Sequence, residues 1–314
     1  MFTKEDIQIY TAFKSFDHLY VKGRVYKARG VKVSDKQGPI KALFNTLLRA
    51  FSAEMPDFAL TVIVGEHVYK LITDDEGYFE IFQPCEHVLD NDEILIKASF
   101  KGDDVEMQIP LDRYEEKENV GIISDIDDTV MVSGVKSFFK LRLLINTAFL
   151  NPFRRKPIEN AAQAYKKLVR SIDGYGPIIY LSNSPWNIYD YLQAFLDHNE
   201  FPEGILMLRD MGWQLLRHRE IEEYNKYIEI ERMLIAFEKT SFYLIGDTGE
   251  KDFDIYRAIA KKHPERIKEI IMVKAGNAEK EAEIQSVIDS KEFGIRMIEQ
   301  WEKQKEDELN EPKA

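Results

Sequence analysis

From Val120 onward the chain repeats one unit, a short aliphatic run followed by a stretch with helical spacing. The runs Val120–Ser124, Ile178–Leu181, Ser241–Ile245 and Ile270–Val273 are apolar at nearly every position rather than at alternate ones. Such strands must be buried on both faces. After Lys156, apolar or small residues at Ile158, Ala161, Ala162, Tyr165, Leu168 and Val169 follow the three-or-four spacing of a buried helix face. A second helix is predicted from Ser184, read as its N-cap, with Pro185 at the first helical position. Strands alternating with helices specify an α/β fold with a mainly parallel sheet covered on both sides. In that architecture ligands bind beyond the carboxyl ends of the strands.

The preceding region has a different rhythm. The segments Leu19–Lys27, Phe58–Gly65, His67–Thr73, Tyr78–Phe82 and Glu93–Phe100 are rich in Val, Ile, Tyr and Phe. Turn residues separate several of them, most clearly Asp74-Asp75-Glu76-Gly77. The pattern predicts an antiparallel, sandwich-like domain, with the helical-looking stretch Ile40–Phe51 as an insertion. Its role is either structural support or substrate targeting. The acidic polar stretch Asp112–Asn119 is read as the linker, which gives a β-rich accessory domain over 1–115 and a second domain over 116–314.

Composition removes several function classes. A net charge of −12 and the lack of a long basic tract oppose general nucleic-acid binding, which needs Lys and Arg to neutralise phosphates. The single cysteine, Cys85, allows neither an internal disulfide nor a cysteine-rich zinc site. No apolar run reaches the roughly 18–20 residues of a membrane span. The first 20 residues hold no signal-like apolar core, so the cytoplasm is the expected compartment.

The strand ends carry the chemistry. The first strand runs into Ser124-Asp125-Ile126-Asp127-Asp128-Thr129. Asp125 and Asp127 alternate around Ile126, so both can approach one phosphoryl group, one as nucleophile and the other for proton transfer. The run ending at Ile245 leads into Gly246-Asp247-Thr248-Gly249-Glu250-Lys251-Asp252. There Asp247 and Asp252 suit a hard oxygen-seeking cation such as Mg²⁺. The run ending at Leu181 leads into Ser182-Asn183-Ser184, where a hydroxyl and backbone N–H groups can bind a phosphoryl oxygen.

The segments GIISDIDDTV, IIYLSNSPWNIYDYLQAFL, FPEGILMLRD, SFYLIGDTGEKDFDIY and HPERIKEIIMV, over roughly residues 119–275, resemble the haloacid-dehalogenase-like phosphohydrolases. Within that superfamily they resemble the App1-type phosphatidate phosphatase catalytic domain. The resemblance implies a Rossmann-like haloacid-dehalogenase fold preceded by the β-sandwich-like domain. It implies that Asp125 attacks phosphorus to form a phosphoaspartate, and that Asp127 protonates the leaving alkoxide and then activates water. It further implies Mg²⁺ held by Asp125, the Asp127 backbone carbonyl, Asp247 and Asp252. Ser182 and Asn183 would bind the phosphoryl group, and Lys226, at the head of KYIEIERMLIAF, would be the charge-neutralising lysine. Glu238 and Phe253 depart from the prolines common in the family at those positions.

The substrate expectation follows from this resemblance and from one segment. Val135–Pro157 contains six basic residues and no acidic one among many apolar side chains. It suits a cap meeting a lipid phosphate monoester, with peripheral membrane contact through residues 135–156. Trp186 and Tyr189 are expected to border that surface. Phosphatidate is the leading substrate, hydrolysed to diacylglycerol and phosphate. A soluble phosphate monoester and a noncatalytic lipid-binding role are the alternatives.

Overall fold

The computed structural model describes residues 3, 6–27, 53–85, 93–114, 119–127, 129–130, 157–172, 175–209, 220–249, 251–299 and 301. The helical stretch expected at Ile40–Phe51, the basic apolar segment at 135–156 and Asp128 lie outside these residues. The chain forms two compact units. The first is Met1–Lys117 with Trp186–Tyr191 and Ile235–Glu238; the second is Glu118–Pro185, Leu192–Leu234 and Lys239–Ala314.

The first unit holds nine strands among the described residues: β1 Ile7–Lys14, β2 His18–Lys27, β3 Ala53–Glu54, β4 Ala59–Val64, β5 His67–Ile72, β6 Tyr78–Pro84, β7 Glu93–Phe100, β8 Asp103–Pro110 and β9 Asp112–Arg113. One sheet runs β3-β2-β1-β9 with β6 also paired to β2; the other runs β5-β4-β7-β8. The pairs are antiparallel except β1 with β9. Leu19, Val21 and Val25 from the first sheet share one apolar core with Leu60, Val62, Ile94 and Ile96 from the second, as a sandwich requires. The Asp74 turn forms as its residues dictate. Asp74 Oδ1 accepts from the N–H groups of Glu76 and Tyr78, and Gly77 takes a φ of +85°.

Four of these strands, β1, β8 and the two-residue β3 and β9, were not among the expected ones. In β8 the buried and half-buried Val105, Met107 and Ile109 alternate with Asp104, Glu106 and Gln108. Period-two alternation marks this strand where β-branched enrichment does not.

The second unit is built on a six-stranded sheet ordered β12-β11-β10-β13-β14-β15. Its strands are β10 Asn119–Asp125, β11 Tyr175–Pro185, β12 Ile205–Arg209, β13 Thr240–Asp247, β14 Ile267–Val273 and β15 Ile295–Ile298. Every neighbouring pair is parallel. Helices α1 Ala161–Ser171, α2 Tyr189–His198, α3 Asn225–Ala236, α4 Asp252–Lys262 and α5 Ala278–Ser290 intervene. This is the expected Rossmann-like α/β sheet. Counted within the unit, the strand order is third, second, first, fourth, fifth, sixth, and the order reverses between β10 and β13. Ligand crevices open at that reversal, outside the carboxyl ends.

One local expectation fails. Ser184 does not cap a helix, because β11 continues through Pro185 and a short 3₁₀ turn at Trp186–Ile188 precedes α2. The Ser184 N–H instead donates to Ser182 Oγ at 3.0 Å, which holds the chain extended past the end of the apolar run. No described helix is long and apolar enough to cross a membrane.

Candidate active site

Strands β10 and β13 deliver the two central carboxylates side by side. Asp125 ends β10, and Asp247 ends β13, its paired neighbour. Beyond Asp125 the backbone turns under control of its own sheet: the Ile126 N–H donates to the Leu181 carbonyl at 3.1 Å. Ile126 is fully buried, which anchors the loop between its two aspartates. The Val130 N–H donates to the Ile126 carbonyl at 3.0 Å and closes the turn.

Asp125, Asp247 and Asp252 each offer a carboxylate oxygen within 4.8 Å of the others, and all three are buried. Asp252 opens α4, where the N-terminal end of the helix dipole favours negative charge. Gly246 makes room for it. A Cβ there would lie 2.7 Å from Asp252 Oδ2 and 2.8 Å from Tyr256 Cε2, so even alanine would displace the carboxylate. Asp247 Oδ1 accepts the Gly249 N–H in a very short contact. The Tyr256 hydroxyl donates to the Ile245 carbonyl at 3.0 Å, packing α4 onto β13.

Lys226, in the first turn of α3, enters this acidic cluster. Its Nζ lies 2.7 Å from Asp125 Oδ1 and 2.5 Å from Asp252 Oδ1, and only 3% of the residue is exposed. Three ionised carboxylates and one ammonium leave a formal charge of −2. Like charges at this spacing in a buried site are costly unless a cation joins them. The donors are all hard oxygens, with no thiolate or imidazole in the cluster. The residues therefore fit a divalent cation of the oxygen-seeking kind.

Asp127 faces the carboxyl-terminal part of β11. Its Oδ2 accepts from Ser182 Oγ–H at 3.0 Å, while Ser182 Oγ itself accepts the Ser184 N–H. Both residues are buried, and Asn183 between the serines is half-buried. The structure thus brings Asp125, Asp247, Asp252 and Lys226 into one cluster and pairs Asp127 with Ser182. Lys251 lies apart, largely exposed and 3.5 Å from Asp254. Trp186 does not border an accessible surface. It is buried, with Tyr10 at 5.4 Å and Tyr189 at 6.1 Å between ring centroids. Its neighbours are core aromatics because the extended β11 carries the residue past the strand end into packing.

Two side chains behind the loop escaped sequence reasoning. Ser124 Oγ–H donates to the Asp125 carbonyl at 2.8 Å, and the Tyr165 hydroxyl makes a very short hydrogen bond to the same Oγ. Burial pushes the Tyr165 hydroxyl far above the usual phenol range, the Ser124 bond opposes that and the Asp125 charge adds to it. Because the Ser124 proton goes to the Asp125 carbonyl, the protonated Tyr165 hydroxyl is the donor to Ser124 Oγ. In the sequence it reads only as one apolar position of the α1 face. Its proximity to Ser124 depends on how the helix covers the sheet.

Residues 120–274 match the family model described as phosphatidate phosphatase APP1, catalytic domain. The chain is 30% identical over 157 residues to phosphatidate phosphatase APP1 of Saccharomyces cerevisiae, covering 49% of this chain and 26% of that protein. It is 25% identical over 206 residues to the uncharacterized protein C29B5.04c of Schizosaccharomyces pombe, covering 63% of this chain and 33% of that one. The chain thus spans a third or less of the length of these relatives. Among solved structures, a chain of the Pnkp1/Rnl/Hen1 complex aligns with a TM-score of 0.32 and 19% identity over 48% of this chain and 49% of that one. A superposition that loose carries no argument. The carboxylate cluster, Asp127 and Ser182 all lie inside residues 120–274, the segment that matches the APP1 phosphatidate phosphatase catalytic-domain family.

Proposed function

We propose that the chain is a magnesium-dependent phosphatidate phosphatase that works through a phosphoaspartate at Asp125. The observation that carries this reading is the cluster of Asp125, Asp247 and Asp252 around Lys226 at the strand-order reversal, inside a segment matching an APP1 catalytic domain. Bound Mg²⁺ would offset phosphoryl charge and orient the ester. Asp125, Asp247, Asp252 and the Asp127 backbone carbonyl are the groups assigned to hold it.

The chain's own residues supply the remaining steps. An Asp125 carboxylate oxygen attacks phosphorus while the bond to the lipid alkoxide breaks. Asp127, protonated in this state, gives its proton to that alkoxide, which leaves as the diacylglycerol hydroxyl. Asp127, now a carboxylate, takes a proton from water, whose oxygen attacks phosphorus and releases Asp125 and inorganic phosphate. The Ser182 hydroxyl, 3.0 Å from Asp127 Oδ2, turns from that carboxyl to a phosphoryl oxygen, with Asn183 beside it. Lys226 neutralises charge as the three equatorial oxygens spread.

A haloacid-dehalogenase-type assignment and cytoplasmic action at a membrane surface are parts of the same proposal. They rest on the sequence motifs and composition. A phosphate-release assay with Mg²⁺ tests the reading across dispersed phosphatidate, lysophosphatidate and soluble monoesters. Release preferring the lipids is expected. Release from soluble esters alone would overturn the substrate and keep the chemistry, and no release from any of them would overturn the enzyme assignment.

Gly246→Ala tests the cation site separately. The added methyl group displaces the Asp252 carboxylate. The Mg²⁺ concentration for half-maximal phosphate release is expected to rise at least about tenfold, the scale seen when the surroundings of metal ligands are disturbed. An unchanged Mg²⁺ titration would remove Asp252 from the cation site.

A further inference from the structure

The loop carrying Asp125 and Asp127 is held from behind at both ends by one side chain that lies beyond residue 274, where the family match stops. At the far end, Trp301 Nε1–H donates to the Thr129 carbonyl at 3.4 Å. At the near end, the Trp301 ring meets the Tyr165 ring at 5.4 Å between centroids and 63°, an edge contact. Tyr165 bonds to Ser124 Oγ, and Ser124 Oγ–H in turn bonds to the Asp125 carbonyl. The indole is itself tied down. Asn160 Nδ2 donates to the Trp301 carbonyl at 3.2 Å, and the residue is 9% exposed.

The surroundings of Asn160 belong to the same device. Asn160 takes a left-handed φ of 62° at the start of α1, a conformation that asparagine tolerates better than most residues. The Ile158 N–H donates to the Val130 carbonyl at 3.0 Å, so the segment entering α1 also grips the end of the loop. Trp301 therefore contacts Thr129, Asn160 and Tyr165 directly and reaches Asp125 through Tyr165 and Ser124.

We infer that Trp301 is a positioning residue, which fixes the backbone of the nucleophile loop and so keeps Asp125 and Asp127 in register with the cation site. The inference deepens the phosphatase reading and rests on it for the catalytic consequence. At 3.4 Å the bond to Thr129 is long, so the ring contact with Tyr165 carries the larger share. A carboxylate displaced by about 1 Å can cost on the order of a hundredfold in rate. Partial loosening of the loop by loss of the indole should therefore lower kcat by about tenfold. KM should change much less, because Trp301 acts through the loop backbone and the Tyr165 ring.

Hydrogen-exchange mass spectrometry and steady-state kinetics on Trp301→Leu and Trp301→Phe test this. Leucine removes both the donor and the aromatic edge, and phenylalanine restores the ring alone. In Trp301→Leu, exchange should quicken in the peptide spanning 124–130 and stay at the wild-type rate in β13 and β14. Its kcat should fall by about tenfold with KM within about twofold. Trp301→Phe should recover most of both. Wild-type exchange over 124–130, or exchange that rises equally throughout the sheet, would overturn the inference. So would a leucine variant whose kcat matches the wild type. If the leucine variant fails to fold, Trp301→Met, which also removes both the donor and the ring, decides: faster exchange limited to 124–130 supports the role and wild-type exchange overturns it. A wild-type protein that releases no phosphate would sink the phosphatase reading, while the exchange measurements still decide whether Trp301 holds the loop.

Discussion

Asp125→Asn is expected to lower phosphate release by roughly 10⁴-fold or more, because it removes the attacking oxygen and one of the three clustered carboxylates together. The fold should survive. Asp125 is fully buried beside two other carboxylates, so its charge is repelled by both. Neutralising it takes the cluster from a formal −2 to −1 with Lys226 in place. The metal-free thermal midpoint should therefore equal or exceed that of the wild type. Circular dichroism melts in EDTA check this, alongside release measured in excess Mg²⁺. Loss of activity together with a large drop in midpoint would identify Asp125 as a structural residue instead.

Lys226→Met has the opposite stability signature. The ammonium lies 2.7 Å from Asp125 and 2.5 Å from Asp252, all three groups being almost wholly buried. Removing the cation leaves uncompensated buried charge, which costs about 3–5 kcal/mol in comparable pairs. Urea unfolding in EDTA should show a loss of that order. Added Mg²⁺ should recover a larger part of stability in the variant than it adds to the wild type, since the cation then meets a more negative site. Turnover should fall at least about a hundredfold, because phosphoryl charge is no longer neutralised. Unfolding curves that match the wild type in EDTA would mean that Lys226 does not carry the charge balance of the cluster.

These two residues also show what the sequence made legible and what it did not. Asp125 could be placed by simple rules, because an aliphatic strand running straight into acidic residues puts them at the carboxyl edge of a parallel sheet. Asp247 follows by the same reasoning on β13. Lys226 was harder. Its position came from the family resemblance, by matching the apolar spacing of its helix to the family's, and only the structure shows its Nζ between Asp125 and Asp252. Tyr165 and Trp301 could not be assigned to the loop. One reads as a helix-face aromatic, and the other follows β15, a strand too short and isolated in sequence to stand out. Their relation to Ser124 and Thr129 arises from tertiary packing across 41 residues for Tyr165 and 172 for Trp301.

The fold was legible to a similar depth. The four long parallel strands were readable from their aliphatic runs, whereas β12 and β15 are five and four residues long and carry less pattern. The misplaced helix at Ser184 has a local cause. Ser followed by Pro is a good helix start, but parallel pairing of Pro185 with Arg209 and the bond from the Ser184 N–H to Ser182 Oγ keep the chain extended. Tertiary pairing overrides the capping signal at the place where extension presents Ser182 to Asp127.

The central claim is a covalent phosphoryl group on Asp125, and Asp127→Asn offers the most direct view of it. With p-nitrophenyl phosphate the leaving group needs little protonation, so attack by Asp125 still proceeds. The second step loses its base, and the intermediate should accumulate. Acid-quench peptide mass spectrometry of Asp127→Asn mixed with this ester and Mg²⁺ should find a phosphoryl group on Asp125, absent from the Asp125→Asn, Asp127→Asn double variant. Turnover of the ester by Asp127→Asn without any phosphorylated Asp125 peptide, or with the phosphoryl group on another residue, would contradict the account.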